Sequence, residues 1–234
     1  MPGKFIGIGV GPGDEDLITI KAVNTLKEVD IIVCPESKMK QGSIAYNTAE
    51  KYISQATEKL YLEFPMIHDK AKLNEKWNEN ADIIGEKIKE NKNVAFLTLG
   101  DPTVFSTYMY LVPLLKMRGI EVETIPGITS FCAVASKVSV PLTTWEETLA
   151  IVPLKKGCQS AIEALDNFDN VVIMKPSHDS KKLGEELIKR GLEDKFILIS
   201  KCSTDEEKIV TDINQILEDD IPYLSTMIVK RKGL

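Results

Sequence analysis

Short apolar segments rich in β-forming residues alternate with amphipathic helical segments along the chain. Residues 4–10 and 93–99 are typical of buried strands, whereas 17–29 repeats apolar residues at a spacing near three, as one face of a helix does. The same alternation continues from 149 to 231. This pattern predicts an α/β fold in which mainly parallel or mixed sheets are covered by helices.

The alternation weakens at one place, the stretch SVPLTTWEE at 139–147. A segment with Pro, Ser and Thr and no clear periodicity is typical of a connection. The sequence therefore predicts two α/β lobes, over residues 1–140 and 147–234. Ligands of such folds bind at the carboxyl ends of strands, often between lobes, so we expect the active site in the cleft between the two lobes.

Charge and cysteine usage exclude several classes of protein. The 234 residues carry a net charge of −6, and an acidic surface repels phosphate backbones, so we expect no nucleic-acid partner. No apolar run approaches the roughly 18 residues that a membrane span requires, so we expect no membrane association. Four scattered cysteines without a C-x-x-C pair, and only two histidines, predict reduced thiols in the cytoplasm and no metal site.

The glycine-rich stretch GIGVGPGDEDLIT, residues 7–19, stands between a predicted strand and a predicted helix. Many proteins bind a dinucleotide phosphate at such a turn, through the pattern G-x-G-x-x-G. Frames that start at Gly7 or Gly9 place Pro12 or Asp14 where the third glycine is required. The acidic residues that follow would also repel a pyrophosphate at the helix N-terminus. The loop therefore does not match the pattern of a dinucleotide-binding site.

Two further loops with Gly and Pro follow predicted strands, in FLTLGDPTVFSTY at 96–108 and IPGITSF at 125–131. Because the carboxyl ends of parallel strands meet at one edge of a sheet, the three loops outline one crevice. Asp101 is the one charge in the middle loop. It would bind a cation or ligand hydroxyls there, or, as the alternative, only cap a turn.

The three loops, in this order and spacing, resemble the tetrapyrrole methylase family, class III methyltransferases that use S-adenosylmethionine. The matching segments are Gly9–Thr19, Gly100–Pro102 and Pro126–Ser130. Shorter segments, among them LEFPM at 62–66 and PYLSTMIVKR at 222–231, resemble the branch that methylates C-20 of precorrin-2 or cobalt-factor II. The resemblance covers essentially the whole chain and implies two α/β lobes with the cofactor in the cleft.

The resemblance also implies where ligands bind. The residues expected to contact S-adenosylmethionine, or the product S-adenosylhomocysteine, are Pro12, Leu99, Gly100, Asp101, Val104, Thr129, Ser130, Met174 and Cys202. Asp101 is the candidate catalytic residue, through orientation of the cofactor. The opening loop, with Gly9 and Gly11, is placed on the tetrapyrrole side. Family members are commonly dimers, so the resemblance implies a homodimer.

An anionic tetrapyrrole with eight carboxylates requires local positive charge in an acidic protein. Lys38, Lys175 and Lys201 follow predicted strands and are the substrate-binding candidates, although a solvated surface position is the alternative for each lysine. His178 follows a strand in a loop, where it would shuttle a proton, bind substrate cobalt or simply be exposed.

The function that the resemblance implies is S-adenosylmethionine-dependent methyl transfer to the C-20 meso carbon of precorrin-2 or cobalt-factor II, in cobalamin biosynthesis. Displacement of a methyl group from a sulfonium by a nucleophilic carbon needs no Ser/His or Cys/His pair, and none is evident in the sequence. Three alternatives remain at this point: a methylase acting at another ring position, a nucleotide-binding oxidoreductase and a non-enzymatic scaffold.

Overall fold

The computed structural model describes residues 2–36, 43–65, 67, 69–218 and 220–233. The chain forms two compact units, Met1–Thr129 and Ser130–Leu234, here called the N-terminal and C-terminal units. Each unit contains one five-stranded sheet with helices, which confirms the predicted α/β class. The helix that precedes the predicted connection at 139–147 groups with the C-terminal unit.

The N-terminal unit alternates strands and helices throughout. In chain order its elements are β1 (Phe5–Gly9), α1 (Ile20–Leu26), β2 (Ile31–Glu36), α2 (Ile44–Ala49), β3 (Glu58–Glu63), α3 (Lys70–Lys89), β4 (Val94–Thr98), α4 (Tyr108–Met117) and β5 (Val122–Ile125). The strands are parallel in the order β3-β2-β4-β1-β5. The central strand β1 pairs with β4 as far as Gly9↔Thr98 and with β5 as far as Ile8↔Ile125. The carboxyl ends of these three strands therefore lie side by side.

Both faces of this sheet are covered, because β1 and β4 are buried along their whole length. Such continuous apolar strands are typical of parallel sheets with helices on both sides. Tyr108 of α4 is completely buried and stacks on Phe5, with ring centroids 5.4 Å apart. A Cβ on Gly7 would lie 2.3 Å from the Tyr108 ring, so the glycine makes room for this packing.

The short apolar run at residues 30–34 is followed by Pro35, which predicts that the strand ends there, but β2 continues through Pro35 to Glu36. Pairing of β2 with β4 stops at Val33↔Phe96, whereas pairing with β3 runs on to Glu36↔Glu63. Beyond Val33 the strand thus has one neighbour only, and a proline without an N–H is tolerated on the unpaired side. The strand β3 itself is not predicted from the sequence, since its side chains are mostly exposed and charged.

The C-terminal unit begins with a helix and carries a mixed sheet. Its elements are α5 (Ser130–Lys137), β6 (Leu149–Pro153), α6 (Gln159–Asn167), β7 (Asn170–Met174), α7 (Ser180–Lys189), β8 (Phe196–Ser200), β9 (Lys208–Val210), α8 (Ile213–Glu218) and β10 (Ser225–Lys230). The strand order is β6-β7-β10-β8-β9, with β10 antiparallel to both β7 and β8. The start of β10 therefore lies between the ends of β7 and β8.

Amphipathic helices cover this second sheet. Leu183 and Leu187 of α7, four residues apart, are fully buried in the core of the unit together with Ile216 of α8. Among the described residues, no helix is both long enough and apolar enough to cross a membrane.

Candidate functional site

At the carboxyl edge of the N-terminal sheet, backbone hydrogen bonds join two of the three loops, the opening loop and the loop after β4. The Val10 N–H donates to the carbonyl of Thr98 at 3.0 Å. Gly11 and Gly100 form an isolated antiparallel bridge, in which the Gly11 N–H donates at 3.3 Å and the Gly100 N–H donates at 2.6 Å. The opening loop and the loop after β4 are thus held to each other by main-chain atoms.

Glycine is required where these loops touch. A Cβ on Gly9 would lie 2.5 Å from the Gly127 nitrogen and 2.7 Å from the Gly100 oxygen. A Cβ on Gly127 would lie 2.2 Å from that same oxygen. Gly11 has φ +76°, a left-handed conformation that favours glycine. Packing alone explains these glycines, so contact of Gly9 and Gly11 with a tetrapyrrole stays a prediction.

Asp101 joins the loop after β4 to the loop after β5. Its Oδ1 accepts from the Thr103 N–H at 2.8 Å and from the Thr103 hydroxyl, and its Oδ2 accepts from the Gly127 N–H at 3.0 Å. The residue is 8% exposed. Burial raises the pKa of this carboxyl, but the hydrogen bonds from Thr103 and Gly127 outweigh burial, and the pKa lies below its usual value. Asp101 is therefore an ionised carboxylate that fixes two loops.

The acidic residues of the opening stretch cap a shorter element than the sequence suggests. Asp14 Oδ1 accepts from the Asp16 N–H at 2.9 Å and caps a single 3-10 turn, Glu15–Leu17. The helix α1 begins later and is capped by Thr19, whose hydroxyl accepts from the Ala22 N–H at 3.2 Å. A helix from residue 17 is therefore wrong by about one turn, because the Asp14 side chain ends its own local turn first.

The other predicted cofactor residues of the N-terminal unit lie on the same loops. Pro12 is buried, whereas Leu99, Val104 and Thr129 are partly buried. The Thr129 hydroxyl oxygen is itself buried and has no hydrogen-bond partner in the described part of the chain. A buried hydroxyl without a partner is unusual, and a ligand atom would satisfy it. Lys38 lies outside the described residues.

The predicted residues of the C-terminal unit also gather at one edge of their sheet. Met174 ends β7 opposite Thr226 in β10, and Thr226 contacts Ser130 at the start of α5, with 3.2 Å between the hydroxyl oxygens. On the other side of β10, Ser225 pairs with Ser200, and their hydroxyl oxygens are 2.8 Å apart. Lys201 and Cys202 follow directly.

Lys175 and Lys201 have the same backbone conformation and different electrostatic partners. Both follow a strand directly and are left-handed, with φ of +56° and +47°. The Lys201 ammonium is paired with Glu206. The Lys175 ammonium lies 5.9 Å from the ring centroid of Tyr223 and has no carboxylate partner within the described chain. Of the two predicted substrate lysines that the structure describes, Lys175 keeps its charge available.

The thiols of the C-terminal unit are protonated at neutral pH where they are buried. Burial raises the pKa of Cys202, which is 7% exposed, and raises that of Cys158 to about 11. His178 is exposed, and its ring lies edge-on to Tyr223 at 6.2 Å. Within the ranges that the structure describes, no group of three or more His, Cys, Asp or Glu side chains is placed to bind a metal.

Sequence reasoning missed the residues that hold these edges in place. Thr103 and the hydroxyls of Ser200, Ser225 and Thr226 form the supporting hydrogen bonds. The tripeptide Asp101–Pro102–Thr103 carries a detectable signal, since an Asp two residues before an N–H donor commonly forms such a turn. The serine pair carries none, because it depends on the register of β8 and β10.

The chain matches one family of enzymes. Residues 4–216 match the family model of Tetrapyrrole (Corrin/Porphyrin) Methylases. The protein belongs to this family. The match contains all three loops described above, nearly the whole N-terminal unit, and the C-terminal unit as far as residue 216.

Similar proteins extend over nearly the whole chain. A protein of Methanocaldococcus jannaschii named "Probable cobalt-precorrin-2 C(20)-methyltransferase" is 40% identical over 97% of this chain and 96% of its own length. A Salmonella typhimurium protein named "Cobalt-precorrin-2 C(20)-methyltransferase" is 30% identical over 99% of this chain and 98% of its own. The structure of a Thermus thermophilus uroporphyrin-III C-methyltransferase complexed with S-adenyl homocysteine has a TM-score of 0.70 at 22% identity, over 97% and 92% of the two chains, and thus has the same fold.

Proposed function

We propose that the protein transfers a methyl group from S-adenosylmethionine to C-20 of cobalt-precorrin-2, in cobalamin biosynthesis. The observation that carries the proposal is the full-length identity of 40% and 30% to two relatives that are both named for this reaction. Membership of the methylase family argues against the oxidoreductase and scaffold alternatives. Metal-free precorrin-2 and cobalt-factor II, the two substrates that the resemblance implies, are the other candidates.

The described residues fit the cofactor. When bound, S-adenosylmethionine supplies a methyl group on a positively charged sulfur. The buried Thr129 hydroxyl, which has no partner among the described residues, can form a hydrogen bond with a polar atom of the ligand. Gly100 has φ +78° and no side chain, so the loop after β4 can approach a ligand with its backbone. In the N-terminal unit, Pro12, Leu99 and Val104 would complete the cofactor contacts, and in the C-terminal unit Ser130, Met174 and Cys202 would do so.

Asp101 acts in this proposal as a positioning residue. Both of its oxygens already accept hydrogen bonds from Thr103 and Gly127, so the carboxylate fixes the loops and does not abstract the substrate proton. Orientation of two reactants can lower a barrier by about 7–11 kcal/mol when the geometry is held closely. Loops that are joined by main-chain hydrogen bonds and by one ionised carboxylate are suited to that task.

The substrate contacts follow from charge. Directly after β7, the Lys175 ammonium has no carboxylate partner among the residues that the structure describes, and we assign it to a carboxylate of the tetrapyrrole. Lys201 is less suited to bind a substrate carboxylate, because its ammonium is already paired with Glu206. Gly9 and Gly11 remain candidates for contact through the backbone.

We further propose a cytoplasmic homodimer. The four cysteines are free, as is usual in a reducing compartment. The helix α4 exposes Met109, Tyr110 and Met117 by 41%, 52% and 75%, although its other face is buried. A helix that is apolar on both faces is commonly covered by a partner. Light scattering after gel filtration should give twice the chain mass, and a monomer at micromolar concentration would contradict the dimer.

Two measurements test the proposal. Calorimetric titration with S-adenosylhomocysteine should show micromolar binding, and titration with NAD(P) should show none. Incubation with cobalt-precorrin-2 or precorrin-2 and S-adenosylmethionine should replace the hydrogen on C-20 by a methyl group, a net mass gain of one CH₂, faster with the cobalt form. Nicotinamide binding without S-adenosylhomocysteine binding would refute the methylase assignment, and an unchanged substrate mass would refute the choice of substrate.

A further inference from the structure

In the loop after β4, packing within the protein does not explain the conformation of Phe105. Its backbone is left-handed, with φ +48°, which is rare for a bulky side chain. The side chain is also 49% exposed, so burial in the core does not offset this strain. A glycine would adopt the conformation without cost. Neither the preferred backbone conformation of phenylalanine nor burial in the core therefore accounts for the ring at this position.

The residues around Phe105 are fixed. On one side, the Val104 N–H donates to the carbonyl of Asp101 at 3.2 Å. On the other, the Ser106 hydroxyl lies 3.0 Å from the Thr98 hydroxyl and accepts from the Tyr108 N–H at 3.2 Å. The loop thus holds the Phe105 backbone at a defined place beside the end of β4 and does not leave it free to relax.

This place belongs to the loop cluster already described. Phe105 comes four residues after Asp101, whose carboxylate joins the same loop to Gly127. Strained backbone that persists because neighbouring hydrogen bonds determine it is typical of ligand-binding loops.

We propose that Phe105 is a substrate-positioning residue, whose ring packs against the flat conjugated macrocycle of the tetrapyrrole. This inference rests on the proposed function for the identity of the substrate. An exposed aromatic ring held by a rigid loop offers a flat ligand a contact at little entropic cost. The macrocycle is favoured over the adenine of the cofactor because about half of the Phe105 side chain is exposed and the macrocycle, as the larger flat ligand, would bury more of it.

Replacement by glycine tests the ring separately from the fold. Phe105→Gly relieves the left-handed strain and removes the ring, so the melting temperature should be unchanged or higher. The dissociation constant of cobalt-precorrin-2, measured anaerobically by absorbance, should rise about tenfold. Phe105→Trp keeps an aromatic surface and should stay within about threefold of the parent protein. The affinity for S-adenosylhomocysteine should stay within about twofold in both variants.

The outcomes separate this inference from the proposed function. Equal macrocycle affinity in Phe105→Gly and the parent protein would overturn it, and so would a loss confined to S-adenosylhomocysteine, which would assign the ring to the cofactor. If the parent protein binds S-adenosylhomocysteine but methylates neither precorrin, the proposed substrate fails. In that case uroporphyrin III, an unreactive macrocycle, still tests Phe105 by the same titration, and a tenfold loss in the glycine variant would uphold its role.

Discussion

The strand-end edges of the two sheets are built from different interactions. In the N-terminal unit, main-chain atoms and one buried carboxylate join the strand-end loops, and glycines are required where the loops touch. In the C-terminal unit, hydroxyl and ammonium groups of side chains line the edge around the start of β10. Substitutions of the glycines and the carboxylate that join the first edge should therefore damage the fold, whereas substitutions of the lysines at the second edge should change affinity.

The largest effect is expected at Gly9. Gly9→Ala places a Cβ 2.5 Å from a backbone nitrogen and 2.7 Å from a backbone oxygen, and the loops must separate to accept it. The free energy of unfolding should fall by about 3 kcal/mol, measured by urea denaturation. The control is Gly119→Ala, where a Cβ meets nothing within 4 Å and only the left-handed φ is unfavourable, with a cost of about 1 kcal/mol. Equal losses in the two variants would show that loop contact does not require Gly9.

The second effect is expected at Asp101. Asp101→Asn turns an acceptor into a donor next to either Gly127 or Thr103 and should lower the free energy of unfolding by about 2 kcal/mol at neutral pH. Affinity for S-adenosylhomocysteine should fall with it. Asp14→Asn is the control, because asparagine caps a turn as well as aspartate does, and its effect should stay below about 0.5 kcal/mol.

The stability difference between Asp101 and Asp101→Asn should depend on pH. The folded-state pKa of Asp101 is lowered, so the unfolded chain binds this proton more readily. The stabilisation is complete above the unfolded pKa of about 3.9 and is lost as the pH falls through the lower folded value. The difference between the two proteins should therefore be constant near pH 6 and shrink below about pH 4. A stability difference that grows on acidification would show that Asp101 is not an ionised hydrogen-bond acceptor in the folded protein.

The third effect separates two lysines of the C-terminal edge. Lys175→Met should raise KM for the tetrapyrrole about tenfold, because an available ammonium is lost, and the effect should weaken with added salt. Lys201→Met should stay within about twofold, since Glu206 already pairs that ammonium. Neither change should lower the melting temperature by more than a few degrees. Equal KM values for the two variants would remove Lys175 from the substrate site.

The smallest effect is expected at Cys202. Its thiol is buried and protonated and contacts the Ser203 hydroxyl at 3.7 Å, so the cofactor would meet the backbone of this segment. Cys202→Ala should leave the dissociation constant of S-adenosylhomocysteine within about twofold, measured by calorimetry. A tenfold loss would show that the sulfur itself contacts the ligand, and that this side chain belongs with Lys175 among the affinity determinants.

Much of the fold follows from residue patterns that are local in the sequence. The strands predicted over 4–10 and 93–99 match β1 and β4 to within one residue, and the helix predicted over 17–29 matches α1 to within three, because burial on both faces and amphipathic spacing leave clear signals. The strand β3 is missed because its side chains are mostly exposed and charged. The wrong end of β2 at Pro35 has a related cause, since the tolerance of that proline depends on a neighbour that stops at Val33↔Phe96.

The candidate site, like the fold, is only partly predictable from the sequence. Gly100, Asp101 and Gly127 are visible in the sequence because each loop has its own unusual composition. The pairing of the Gly127 N–H with Asp101 spans 26 residues and is visible only in three dimensions. The contrast between Lys175 and Lys201 depends on where Glu206 points, and the exposure of Phe105 depends on its left-handed backbone. Residue type alone gives no signal of either.

The most direct test of the proposed reaction is the position of the new methyl group. The protein is incubated anaerobically with cobalt-precorrin-2 and S-adenosylmethionine carrying a ¹³C-labelled methyl group, and the product is examined by NMR after oxidation and removal of cobalt. We predict one labelled methyl group bonded to C-20. A labelled methyl group at any other carbon, or an unlabelled product from a protein that binds S-adenosylhomocysteine, would contradict the account.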